Sequence, residues 1–193
     1  MNRFLIPAGL FALLVVLLLV GIQRAPQKNV IPSALLGKPA PAFRLPLLDG
    51  SGDFENGSFL GRWYLLNVWG TWCPQCRVEH DMLLEIARTG SIPIIGLNWK
   101  DEQMLAQRWL AELGDPYDVV PVDQDGQVAV EWGVYGAPET FLVDGQGIVR
   151  HRHVGAMTQE VWERDFLSRM PRQVADPPRE PTLVPAPAAP VGG

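Results

Sequence analysis

The stretch "WYLLNVWGTWCPQC" (63–76) joins a short, aromatic-rich apolar run to both cysteines of the 193-residue chain. A run of that length ending at Gly70 reads as a buried strand. The residues that follow, "CPQCRVEHDMLLEIARTG" (73–90), carry helical periodicity and stop at Gly90, a suitable C′ position. The two cysteines therefore fall where a central strand meets a helix N-terminus. There the unpaired N–H groups and the helix dipole favour a thiolate at Cys73. Pro74 suits the first helical turn, where its missing N–H costs nothing.

Such a pair has three uses. A staple closing so short a ring removes little chain entropy and is worth little. A zinc site can be drawn from Cys73, Cys76, His80 and a fourth ligand such as His151. However, His151 and His153 alternate with Arg150 and Arg152 in what reads as a solvated hairpin face. A redox couple is what strand–CxxC–helix placement favours.

Outward from this motif, "IPIIGLNW" (92–99) reads as a second strand. "DEQMLAQRWLAELG" (101–114) reads as a helix with Asp101 as N-cap and Gly114 as terminator. "YDVVPVD" (117–123) is a further strand, and "TFLVDGQGIVRHRHVG" (140–155) a hairpin turning at "DGQG". "TQEVWERDFLSRM" (158–170) is a closing helix. Alternating strands and helices followed by a hairpin and helix make an α/β sandwich.

The ends read differently. Phe4 to Ile22 run without a charge. As a helix they span about 28 Å, close to the roughly 30 Å hydrocarbon core of a bilayer. A cleaved signal peptide is the alternative, but the run is long for one and "GIQRAPQKNV" offers no A-x-A site. Residues 1–28 are therefore expected to be an uncleaved anchor and 29–36 a linker. Arg3 on one side and Arg24 and Lys28 on the other leave the orientation open. The segment 172–193, rich in Pro and Ala, is expected to be a disordered tail. One domain, 37–171, remains, with no internal repeat. A net charge of −5 and no Lys/Arg cluster argue against nucleic acid as a partner.

Four segments, "GKPAPAFRLPLLDG" (37–50), "LLNVWGTWCPQCRVEH" (65–80), "GLNWKDE" (96–102) and "GVYGAPETFLVDGQGIVRHRHVG" (133–155), carry a resemblance. With their spacing they resemble the thioredoxin superfamily and, within it, the membrane-anchored periplasmic CcmG/DsbE proteins of cytochrome c maturation. The resemblance implies a thioredoxin-like sandwich with a central mixed sheet flanked by helices. Cys73 would be the exposed attacking thiol and Cys76 the resolving one. Pro138 would be a cis-proline facing the disulfide, and Trp72, Pro74, Ala137 and Pro138 would border the substrate groove.

The implied protein is a reductant needing no small-molecule cofactor, held in the inner membrane by residues 4–22 with its domain in the periplasm. Its client would be the oxidised cysteine pair of apocytochrome c, or a haem-lyase-type maturation partner. A membrane thiol-transfer protein would restore its dithiol. A TlpA/ResA-like reductase with other clients is the neighbouring alternative. A non-enzymatic CxxC module binding metal or a partner is the alternative from another class.

One departure matters. Where thioredoxin buries an aspartate, six residues before the first cysteine, this chain has Asn67, which cannot accept a proton in that role. Two acids are candidates to tune the thiols or relay protons instead. Glu139 follows Pro138. Glu79 falls in the middle of a helical arc made by Val78, Met82, Leu83, Ile86 and Ala87, one turn beyond Cys76. Burial there should raise the Glu79 pKa. Of the seven tryptophans, Trp63, Trp69, Trp99, Trp109, Trp132 and Trp162 read as packing residues.

Overall fold

The computed structural model describes residues 5–23 and 34–175. They belong to two compact units, 1–32 and 33–193. In the first, Leu5–Gln23 forms helix α1, 19 residues without a charge. Its described side chains, 7–20, are all exposed. Among the described residues no helix is long and apolar enough to cross a membrane. Residues 24–33 and 176–193, which hold most of the expected linker and tail, lie outside the described residues. At the start of the expected tail, Arg172–Ala175 instead form a helical turn.

The second unit is built on strand β3. The sheet holds β3 (Tyr64–Trp69), β4 (Ile94–Trp99), β5 (Val122–Asp123), β6 (Glu139–Val143) and β7 (Val149–Val154), in the order β5-β4-β3-β6-β7. β3 runs parallel to β4 and antiparallel to β6, so the sheet is mixed. Every β3 side chain is buried, because both faces are covered, and this is why its sequence is almost continuously apolar.

Tyr64, Leu66 and Val68 face a cluster with Phe43, Phe54, Trp132 and Phe141. Helix α4 (Gln127–Glu131) and a small hairpin of β1 (Arg44–Pro46) and β2 (Asp53–Glu55) supply part of that layer. On the other face, Leu65 meets Leu83 and Ile86 of helix α2 (Pro74–Thr89), together with Trp162 and Phe166. Trp69 meets both cysteines and Ala106 and Leu110 of helix α3 (Gln103–Leu113).

Several expectations are corrected. The run 117–123 forms a strand only at its last two residues, with isolated bridges from Val119 to Ile95 and from Pro121 to Leu47. Pro121 has no N–H to donate, and only its carbonyl is used, by the Asn98 N–H at 2.9 Å. Asp101 is not the N-cap of α3: Glu102 holds that position without a side-chain cap, because Asp101 is engaged elsewhere. The closing helix is irregular. A short α-turn, Gln159–Val161, widens into a π-turn over Trp162–Phe166 and tightens to 3-10 geometry over Leu167–Arg169, while Trp162 and Phe166 stack at 5.9 Å. The sequence pattern signals neither the β1–β2 hairpin nor α4.

Candidate active site

Cys73 is the N-cap of α2, with extended backbone (φ −98°, ψ 105°), and Pro74 opens the first turn. Cys73 and Cys76 are joined in a disulfide, and the Cys76 N–H points at the Cys73 sulfur, 3.1 Å away. That N–H and the helix dipole are available to a Cys73 thiolate once the bond opens. The expectation of an exposed Cys73 is corrected for the oxidised form: Cys73 is 2% exposed and Cys76 3%. The Cys73 sulfur is turned inward to its partner and packs in the cluster of Leu48, Trp69, Ala106 and Leu110, against which Ala137 also lies. Exposed Trp72, Pro74 and Gln75 form the rim.

The loop before Cys73 is latched to the segment before α3. Asp101 accepts hydrogen bonds from the Thr71 N–H (2.7 Å), the Thr71 hydroxyl (2.6 Å) and the Asn98 amide (3.0 Å). This is where its capping capacity has gone. Trp72 is 49% exposed, yet it is held on one edge: its indole N–H donates to the Trp99 carbonyl at 3.1 Å, and the two rings meet edge to face at 5.5 Å. It folds back over Gly70, where a Cβ would stand 2.5 Å from the indole nitrogen. Nothing local in the sequence marks the Thr71–Asp101 contact, which spans 30 positions.

Glu79 is fully buried on α2, one turn beyond Cys76, as the periodicity required. Val78, assigned to the same arc, is instead 65% exposed. The inward face is Cys76, Glu79, His80, Leu83 and Ile86. Both Glu79 oxygens accept hydrogen bonds, one from the Asn67 amide (2.8 Å) and one from the Met157 N–H (2.8 Å). Burial pushes its pKa up to about 7, with these two donors pulling the other way. Asn67 stands at the place of the thioredoxin aspartate, and it holds the carboxyl that replaces it. Its amide also donates to the Thr140 hydroxyl at 3.0 Å and accepts from the Tyr117 hydroxyl at 3.0 Å.

Glu139 lies elsewhere. Thr140 faces Asn67, so its neighbour on β6 points to the opposite side of the sheet. There Glu139 pairs with Arg152 of β7, carboxylate to guanidinium at 2.7 Å, with side-chain exposures of 0% and 4%. It also accepts from the Tyr135 N–H at 3.2 Å, while Arg152 donates to the Gly133 carbonyl at 3.1 Å. None of these partners is a thiol, and Glu139 shares no contact with Glu79. A carboxylate committed to a buried guanidinium across the sheet from Glu79 braces the loop 133–138. That loop presents Ala137 and Pro138, whose peptide bond is cis and whose proline is buried.

The zinc alternative does not assemble. His80 Nε2 donates to the Gly114 carbonyl at 3.0 Å. His151 is half-buried with its ring edge against Phe166 at 5.1 Å. Burial, with Arg169 nearby, lowers the His151 pKa to about 4, so the histidine face is not solvated as expected. Among the described residues no three His, Cys, Asp or Glu side chains converge as a metal would require.

A helix-capping disulfide, a neighbouring cis-proline and a buried acid behind the second cysteine together form a dithiol exchange site. Comparison with known proteins agrees. The Redoxin family model matches residues 35–167. The thiol:disulfide interchange protein DsbE of Allochromatium vinosum is 46% identical over 166 residues, covering 86% of this chain and 91% of the relative. The DsbE of Pseudomonas aeruginosa is 45% identical over 175 residues, 90% of this chain and 95% of the relative. The chain belongs to the DsbE family of redoxins. Among solved structures, a DsbE-like protein from Chlorobium tepidum matches with TM-score 0.54 at 28% identity, covering 65% of this chain and 89% of that one. The dsbF structure from MTB matches at 0.58 and 28%, covering 63% and 90%. Membership makes this chain a thiol–disulfide oxidoreductase whose couple is Cys73–Cys76.

Proposed function

We propose that the chain works as a reductant for the haem-attachment cysteine pair of apocytochrome c, or for a maturation partner carrying that pair. The Cys73 thiolate attacks one sulfur of the client disulfide. A mixed disulfide forms and the client's other sulfur leaves as a thiolate, which takes a proton. Cys76 then gives up its proton and attacks the Cys73 sulfur, releasing the second client thiolate to be protonated in turn. Two electrons have moved: the client gains two thiols and Cys73–Cys76 becomes the disulfide. A membrane thiol-transfer protein returns the dithiol.

The observation that carries the direction is Glu79. A buried carboxyl behind Cys76 is a ready acceptor for its proton, and when charged it opposes thiolate formation at the pair. Less thiolate stabilisation makes the dithiol a stronger reductant. The DsbE relatives support the client class through the maturation role that the CcmG/DsbE resemblance implies. The uncharged run Phe4 to Ile22, about 28 Å long if wholly helical, is the sequence feature that supports an inner-membrane anchor. A domain on the periplasmic side would meet clients whose thiols that compartment oxidises.

Deleting the gene from its host is expected to abolish holo c-type cytochromes, and added dithiothreitol to restore them. Undiminished cytochrome content, or a loss that dithiothreitol does not repair, would assign the client elsewhere.

A further inference from the structure

The acid behind Cys76 does not stand alone. Asn67 is gripped from both sides: its carbonyl oxygen receives the Tyr117 hydroxyl proton at 3.0 Å, and its NH2 group donates to Glu79 at 2.8 Å and to Thr140 at 3.0 Å. Asn67, Glu79 and Thr140 are each 0% exposed. An amide has one accepting and one donating end, so whichever group claims the oxygen decides what the other end offers. We propose that Tyr117 is a positioning residue for thiol exchange: its hydroxyl locks the Asn67 amide with NH2 toward Glu79, and release of that lock lets the amide turn and accept a proton-bearing Glu79.

The hydrogen-bond directions carry the argument. The Asn67 amide and the Met157 N–H, which hold the carboxyl, are both donors, an arrangement that favours the charged form. When Glu79 takes a proton from Cys76, its new O–H needs an acceptor. A half-turn of the Asn67 amide supplies one. The oxygen then faces Glu79, the NH2 group faces the Tyr117 oxygen, and the Thr140 hydroxyl reverses from acceptor to donor. Glu79, Thr140 and the Asn67 oxygen keep partners in both states. The one donor released, the Tyr117 hydroxyl, belongs to a residue that lines an open cleft where water can accept its proton.

Tyr117 is built to do this. Its ring stacks on Trp69 at 5.4 Å, and Gly96 in β4 leaves it room, since a Cβ there would stand 2.5 Å from the ring. Its phenol is held neutral by burial and by the nearby carboxyl charge, so it remains a donor. The residue also lines an open cleft of about 460 Å³ with Leu48, Leu110, Asp115 and Asp118.

Other groups around the carboxyl are accounted for. On α2, Cys76 is the reacting thiol and His80 turns to Gly114. His153, the register partner of Thr140 on β7, is tied to the Ala156 carbonyl at 3.3 Å with its pKa lowered by burial. From the segment after α3, Asp115 holds the Tyr117 N–H at 2.9 Å. Glu139 and Arg152 neutralise each other across the sheet.

The inference rests on the proposed part of Glu79 in exchange, and its test reads the carboxyl directly so that the two can fail separately. In the Tyr117→Phe variant the ring remains and the lock is lost. The Glu79 pKa, followed by the infrared carboxyl band with Glu79→Gln as the blank, is expected to rise by about one pH unit, a tenfold change in its protonation equilibrium. The pH profile of client reduction should move with it, and Tyr117→Phe should add no shift to a Glu79→Gln protein. An unmoved carboxyl pKa in a folded Tyr117→Phe protein overturns the proposal. A moved carboxyl with an unmoved reduction profile keeps Tyr117 as the lock and removes Glu79 from exchange. Should the variant fold poorly, the native protein decides the question by NMR. Contacts from the Asn67 NH2 protons should pass from Glu79 to Tyr117 as Glu79 protonates, and an amide that keeps its contacts throughout contradicts the proposal.

Discussion

Replacing Arg152 by alanine is expected to destabilise the oxidised domain by about 3–5 kcal/mol at neutral pH, the penalty for leaving a buried carboxylate without its countercharge. The pair is almost completely withdrawn from water, with side-chain exposures of 4% and 0%, so solvent cannot screen the loss. The guanidinium also lies over the Tyr135 and Phe141 rings, at 4.9 and 5.6 Å, and its removal forfeits that packing too. Burial raises the Glu139 pKa even with Arg152 present. Without it the carboxyl can take up a proton in mild acid, so the deficit should shrink as pH falls. Joint replacement, Arg152→Met with Glu139→Gln, should recover much of the stability, because no charge is then stranded. Since the pair braces 133–138, Arg152→Ala should also slow client reduction by loosening the turn that presents Pro138. Urea melts of the three proteins at two pH values check this. A loss below about 1 kcal/mol, the range of solvated surface pairs, would contradict it.

The second large effect belongs to Glu79. Its pKa is about 7 in the folded protein against an ordinary 4.5. Between those values the native chain holds a proton that the unfolded chain has released. Stability should therefore be greatest below the ordinary value and fall as pH rises through this window, by about 3 kcal/mol in all. Glu79→Gln should lack this slope and keep its fold. Its amide oxygen can accept the Met157 N–H, while its NH2 group meets Asn67, whose amide turns to receive it. With no charge behind the thiols, the variant should show a lowered Cys73 pKa and a more oxidising Cys73–Cys76 couple. Denaturation across the pH range, thiol titration and equilibration with glutathione read these outcomes. Curves that superimpose on those of the native protein would remove Glu79 from both stability and redox tuning.

What can be read from the sequence, and what cannot, divides by the range of the interaction. β3 is legible because a strand covered on both faces must be apolar along its length. Glu79 is legible because one charged residue interrupts an otherwise apolar helical arc. Val78 misleads for the same local reason: an apolar residue on a helix need not face inward, and this one is 65% exposed. Asp101 looks like an N-cap because its spacing to α3 is right, but a non-local partner, Thr71, claims its oxygens. Arg152 looks solvated within "RHRH", and the hairpin signal alone does not correct that reading. The register given by the "DGQG" turn is shifted by an irregularity between Leu142 and Val143, which sets Phe141 opposite Arg152, and two-residue alternation then puts Glu139 on the same face. Helix α4, five residues long, is too short to show a period. The Asn67 network cannot be read at all, since its members come from β3, α2, β6 and the segment after α3.

The most direct test of the mechanism is a trapping measurement with Cys76→Ser and Cys73→Ser forms of the intact protein, each presented with an apocytochrome c whose haem-attachment cysteines are oxidised. With Cys76→Ser, Cys73 still attacks but resolution fails, so a covalent adduct cleaved by dithiothreitol should accumulate. With Cys73→Ser the adduct should be nearly absent. Equal adducts from both variants, or none from either, would contradict the assignment of Cys73 as the attacking thiol and of this client as its substrate.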